Sequence, residues 1–186
     1  MKRWLVKQKG VTQVEFTLIA LAVLLVIFAI IEFALYFYSI QMANEITRRA
    51  ARLATVCYIS DGDDIPDYPA LKSLYPPGFS SENLKISYLK VEEDAAGIIN
   101  IVALTDTEVA AFSDSSVGTD TLNNIFTKIR LVKAEVVDYE FKFFVLSALI
   151  NIVGVSPALQ TVLPAESLGV LRPEGEDLSV REDCGE

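Results

Sequence analysis

Histidine is absent from the 186 residues, tryptophan occurs once, and methionine and cysteine twice each. Without an imidazole no serine has its usual general base, so the chain presents no catalytic constellation. The two thiols, Cys57 and Cys184, stand apart and form no Cys-x-x-Cys pair. Two isolated thiols do not make a zinc ligand set, and no cofactor is expected. Basic residues are also scarce over most of the chain. From Val56 onward nine Lys and Arg are set against 22 Asp and Glu. A nucleic-acid interface needs basic patches facing phosphates, so that partner class is excluded. The acidic excess reads as a solvated, self-repelling surface. It is expected to bind no metal: an EF-hand loop begun at Asp61 would put Pro66 where its glycine belongs and Lys72 where its glutamate belongs.

What the chain does have is one long hydrophobic run near its start. Residues 16–40 are nearly all apolar, with Thr17, Ser39 and Glu32 as exceptions. A helix needs about 20 such residues to cross the hydrocarbon of a bilayer, so one span is expected there, with the lipid bilayer as a partner. Lys2, Arg3, Lys7 and Lys9 precede the run; Arg48, Arg49 and Arg52 follow it. The bias toward the first end favours a cytoplasmic N-terminus and an exported C-terminal part. A secretory signal peptide fits poorly. The small-residue site at residues 20–22 has too little apolar core before it, and the run continues well past it. If the body is exported, its two cysteines suit one disulfide, with two free thiols as the alternative.

The stretch KQKGVTQVEF, residues 7–16, carries a finer pattern. Basic residues lead to Gly10, and Glu15 and Phe16 stand at the fifth and sixth positions after it. This resembles the processing site of a type IV prepilin of tight-adherence (Flp-type) systems. Further on, Ile31-Glu32-Phe33 and Ala50-Ala51-Arg52 are similar to stem motifs of TadE-like minor pseudopilins, and LPAESLGV, residues 163–170, resembles a shorter signature of that family. TadF-like proteins share such a stem. The departure at Phe16, where major Flp pilins have Tyr, points toward the minor members.

The resemblance implies an α+β, type IV pilin-like fold, with a long N-terminal helix on a small, mostly antiparallel sheet. It implies a leader at residues 1–10, a helix over 11–56 and an exported domain over 57–186. It further implies cleavage between Gly10 and Val11 by a prepilin peptidase. Other pilins and pseudopilins and an inner-membrane assembly platform are the remaining implied partners. Gly10, lacking a Cβ, suits close approach by a peptidase. Glu15 would then become the fifth residue and pair with the new α-amine of a neighbouring subunit. A carboxylate at the edge of the hydrocarbon calls for a partner or for hydration at headgroup level. Glu32 lies about 25 Å further along the helix and on another face. It reads as an interfacial carboxylate near Tyr36 and Tyr38, with a helix–helix contact in the membrane as the alternative.

Beyond the span, Met42, Ile46, Ala50, Leu53 and Cys57 form one apolar stripe. The Asp- and Pro-rich segments that follow predict solvated loops. Alternation predicts a hairpin from Leu84, Ile86 and Tyr88 to a return strand over 98–104. It also predicts a strand burying Val137, Tyr139, Phe141 and Phe143, preceded by a bulge or break near Val136 and Val137. Residues 107–124 predict a loop with a short helix. Residues 143–155, FFVLSALINIVGV, are apolar but too short for a second span; core and exposed patch are both open.

Overall fold

The computed structural model describes residues 11–93, 97–114, 116–150, 152–170 and 184. The expected leader, Gly10 and the tip of the first hairpin at 94–96 lie outside the described residues, as does the acidic tail apart from Cys184.

No Gly or Pro interrupts helix α1, Val11–Val56, which runs for 46 residues. At 1.5 Å per residue it is about 69 Å long, far more than the small body behind it can cover. Two 3₁₀ turns, Ile59–Asp63 and Ile65–Asp67, lead to the short helix α2, Pro69–Lys72. Strands β1, Leu84–Glu93, and β2, Ile99–Ala103, form the first hairpin. Helices α3, Asp106–Ala110, and α4, Thr119–Phe126, then lead into β3, Ile129–Val136. Among the described residues these are followed by β4, Glu140–Lys142; α5, Val145–Ile150; β5, Val153–Val155; and β6, Gln160–Pro164.

The main sheet has the order β2-β1-β3-β6, antiparallel throughout, and β4 and β5 form a separate two-stranded ribbon. This is an α+β protein with a pilin-like layout: a long N-terminal helix packed on a small antiparallel sheet. The outer half of α1 lies on β3 and β6. Ala43, Ala50, Ala51 and Ala54 are fully buried there, beside Ile46 and Thr47. Small side chains let the helix approach the sheet closely, and Val132 and Ala134 meet it from β3. Thr47 shares a hydroxyl hydrogen bond of 3.0 Å with Thr161 of β6, which satisfies both polar groups at the contact.

The expected stripe is displaced slightly. Ile46, Ala50 and Cys57 are buried, but Met42 and Leu53 are only half-buried, and the contact centres on the alanines beside them. Hydrophobicity alone favoured the larger side chains; close packing favoured the small ones. The Asp-rich segment is also more folded than a solvated loop, because Ile59 and Ile65 anchor its turns in the core. Val137 to Phe143 do not form one strand. β3 stops at Val136, Asp138 takes a left-handed φ of 51°, and the chain restarts as β4 in the other sheet. Tyr139, Phe141 and Phe143 are nevertheless all buried. The expected break after Val136 is thus present, and a separate register shift in the β1–β3 pairing lies at Leu89 and Lys90.

Candidate functional site

The inner half of α1 is exposed over most of its surface, Glu32 being the exception. Val14, Phe16, Leu18, Ile19, Val26, Ile30 and Phe37 are each more than half exposed, and Phe16 is 72% exposed. Its apolar stretch has a mean hydropathy of 3.0 and is almost entirely uncovered by the rest of the protein. An apolar surface of that size is not left to water by a folded chain, and its length suits a bilayer. It fits a single-pass membrane anchor.

The two carboxylates of this half differ sharply. Glu15 is exposed, and among the described residues no hydrogen bond or ion pair reaches it. Phe16 beside it points outward. Val11 begins the helix. Glu32 is only 7% exposed. One of its carboxylate oxygens accepts from the backbone N–H groups of Phe144 (2.9 Å) and Val145, and the other from that of Leu146 (3.0 Å). These are N–H groups that the first turn of α5 cannot satisfy internally. A carboxylate also complements the positive end of the helix. The expected interfacial or inter-subunit role of Glu32 therefore meets a competing use: its acceptor oxygens are engaged inside its own chain.

Aromatic packing holds the same contact. The Phe143 ring lies 5.7 Å from that of Phe33 and 5.6 Å from that of Tyr36, and Tyr36 also faces Phe141 at 5.7 Å. The Tyr36 hydroxyl donates to the Val155 carbonyl at 2.9 Å. Gly154 makes room for the ring: a Cβ at this position would lie 2.8 Å from Tyr36 Cε2 and 3.2 Å from Phe143 Cε2. The β4–α5–β5 arm is thus clipped onto α1 at residues 32–36, inside the apolar half of the helix.

At the other end of α1 a second clip joins the C-terminal region to the stem. Residues 163–170 leave β6 and turn through Leu168 and Gly169, with φ of 47° and 71°. The Leu168 N–H donates to the Thr55 carbonyl at 3.0 Å, and the Leu168 and Val170 side chains are buried. Gly169 approaches so closely that an added Cβ would be 2.5 Å from Tyr58 N. Cys57 and Cys184 are joined as a disulfide with their Cα atoms 5.5 Å apart.

Away from the stem, Lys90 bridges Glu108 at 2.6 Å and Glu92 at 2.9 Å. Its hydrogen bond, with that of the Thr105 N–H, holds the Glu108 carboxyl below the ordinary glutamate range. Burial, with Asp67 nearby, pushes the Tyr75 phenol up to about 12, and its hydroxyl donates to the Pro66 carbonyl. Tyr88 is raised further by burial and by the charges of Asp61 and Asp63; its hydroxyl has no hydrogen-bond partner among the described residues. No group of three or more candidate metal ligands occurs among the described residues.

A helix apolar and largely uncovered at one end and docked on a sheet at the other gives a pilin-like layout that fits a single-pass membrane anchor. Residues 10–52 match the family model of TadE-like proteins. Over this stem the chain is similar to TadE-like proteins. The match ends before the sheet begins, and residues 163–170 lie outside it. No curated protein and no solved structure matches the chain.

Sequence reasoning placed Glu15, Phe16 and Glu32 on one apolar helix, and the structure does so too. It missed the arm. The only available signal was a carboxylate within a run of apolar residues together with a second short apolar run, 143–155, that had no assigned place.

Proposed function

We propose that this chain is a TadE-like minor pseudopilin that takes part in assembling an adhesion pilus. A prepilin peptidase cleaves it between Gly10 and Val11 on the cytoplasmic face of the inner membrane. The mature helix stays in that membrane with its N-terminus cytoplasmic, while the body, 57–186, is exported. Glu15 then pairs with the α-amine of a neighbouring pilin or pseudopilin on the assembly platform, where the pair offsets the cost of desolvating each charge. Its role is structural, with no catalysis and no cofactor.

The observation that carries this reading is the family match over residues 10–52, which begins at the glycine and covers the whole apolar half of α1. The exposed Glu15 near the start of that helix supports it. N-terminal sequencing of the membrane form, in a host that supplies the peptidase, should read Val11 first. An intact Met1 would overturn the reading and leave an uncleaved, single-pass anchored domain. Gly10→Ala should retain the leader, and Glu15→Ala should insert normally but fail in assembly.

A further inference from the structure

We propose that the tip of the β4–α5–β5 arm lies within the outer leaflet of the membrane, seated beside α1 among lipid acyl chains. This rests on the single-pass membrane reading above.

The level of the arm is fixed by its bonds. The N–H groups of Phe144, Val145 and Leu146 reach Glu32, and the Val155 carbonyl reaches Tyr36. The tip therefore sits alongside residues 32–36 of α1. Glu32 is about 25 Å along the helix from Glu15. With Glu15 at the inner edge of about 30 Å of hydrocarbon, Glu32 falls short of the outer edge. A carboxylate at that depth needs polar partners, and the arm supplies three N–H groups. Those N–H groups need an acceptor at the same depth, and Glu32 supplies it. Each of the two polar sets makes the other tolerable in lipid.

The outer surface of the tip matches that setting. No charged residue occurs from Phe143 to Val155, whereas Glu140 and Lys142 stand at its root. Phe144 is 88% exposed, and Val153 and Val155 are also exposed. In water these side chains would lose the benefit of burial; in lipid they extend the apolar surface that Phe33 and Phe37 already present on α1. Between arm and helix lies a groove of about 510 Å³ whose apolar wall is Leu35, Tyr38, Phe141 and Phe144, with Glu32, Ser39, Glu140 and Lys142 also lining it. Acyl chains of the outer leaflet are its occupants. The arm behaves as a monotopic element attached to a spanning one.

The test uses the full chain in vesicles of phosphatidylethanolamine and phosphatidylglycerol. Trp4, the one tryptophan, is replaced by Phe in every variant. Single tryptophans are then placed at Phe144, at Phe28 in mid-span and at Ile99 on the outermost strand. F144W should emit blue-shifted light, lose most of it to lipids brominated near the glycerol end of the chain, and resist iodide. F28W should be quenched by bromine near the methyl end, and I99W by iodide alone. If F28W is quenched by lipid but F144W by iodide, the arm stands in water and the proposal fails while the span survives. If F144W is blue-shifted yet untouched by brominated lipid, a second copy covers it and the proposal also fails. If F28W itself escapes lipid quenching, the membrane reading falls and takes the arm with it.

Discussion

Gly169→Ala should loosen the body from the end of the stem. Two costs act together at this position. The backbone is left-handed, with φ of 71°, where a Cβ costs about 1–2 kcal/mol. The new Cβ would also lie 2.5 Å from Tyr58 N and 2.7 Å from Tyr58 Cα, and backbone atoms cannot rotate away as a side-chain tip can. Overpacking of this kind costs about 1–3 kcal/mol. The expected loss is thus about 2–5 kcal/mol for a change of one methyl group. Gly118→Ala is the control, because nothing lies within 4 Å of its Cβ position and its φ is −65°. That change should stay within about 1 kcal/mol of the parent. Urea unfolding of the detergent-solubilised chain, followed by near-ultraviolet circular dichroism of buried tyrosines such as Tyr58, measures both. If the Gly169 variant unfolds within about 0.5 kcal/mol of the parent, the close approach to Tyr58 is refuted.

Gly154→Ala should push the Tyr36 and Phe143 rings apart, since its Cβ would stand 2.8 Å from one and 3.2 Å from the other. Amide exchange should speed up at residues 144–146 while the amides paired between β1 and β3 stay protected. Cys57→Ser should cost about 5 kcal/mol in the chain-entropy account, because the disulfide closes a loop over a separation of 127 residues. Cys184→Ser should match it, and the double variant should cost no more than either, as read by urea midpoints without reductant. Glu108 contributes stability that is fully present above its unfolded value, near 4.5, and is lost as pH falls through its depressed folded value. Thermal midpoints of Glu108→Gln should therefore fall less on acidification below about 4.5 than those of the parent.

The parts of this fold that announce themselves in sequence are those with local causes. Residues 16–40 read as a span because hydropathy needs no partner to be recognised. The first hairpin was legible because one face of β1 is buried, at Leu84 and Tyr88, and its neighbours are less so. The break after Val136 was legible as a change of phase, though the switch of the chain to a second sheet was not. The arm was hidden for a different reason. Residues 143–155 are apolar apart from Ser147 and Asn151, so they carry no clear period that separates strand from helix. Their partner is an ionised-type side chain more than a hundred positions away. Likewise, residues 163–170 were legible as a signature, while the reason for Gly169 appears only when Tyr58 is brought against it.

The contrast between the two membrane carboxylates narrows where an assembly contact can form. Both lie on α1, and sequence alone allowed either to reach a neighbouring helix. A carboxylate has a limited number of acceptor positions, and three backbone N–H groups of the same chain already draw on those of Glu32. Redirecting Glu32 to another subunit would strand the first turn of α5 without an acceptor, and at the proposed depth little water would replace it. Glu15 has no such commitment among the described residues and sits on open helix surface. The two acids are therefore suited to different tasks. Glu32 holds the arm against its own stem, and Glu15 is left for the proposed pairing with an amine on a neighbouring subunit. On this division of labour, Glu32→Ala should release amide protection at 144–146 whether or not other subunits are present. The effect of Glu15→Ala should appear only when they are.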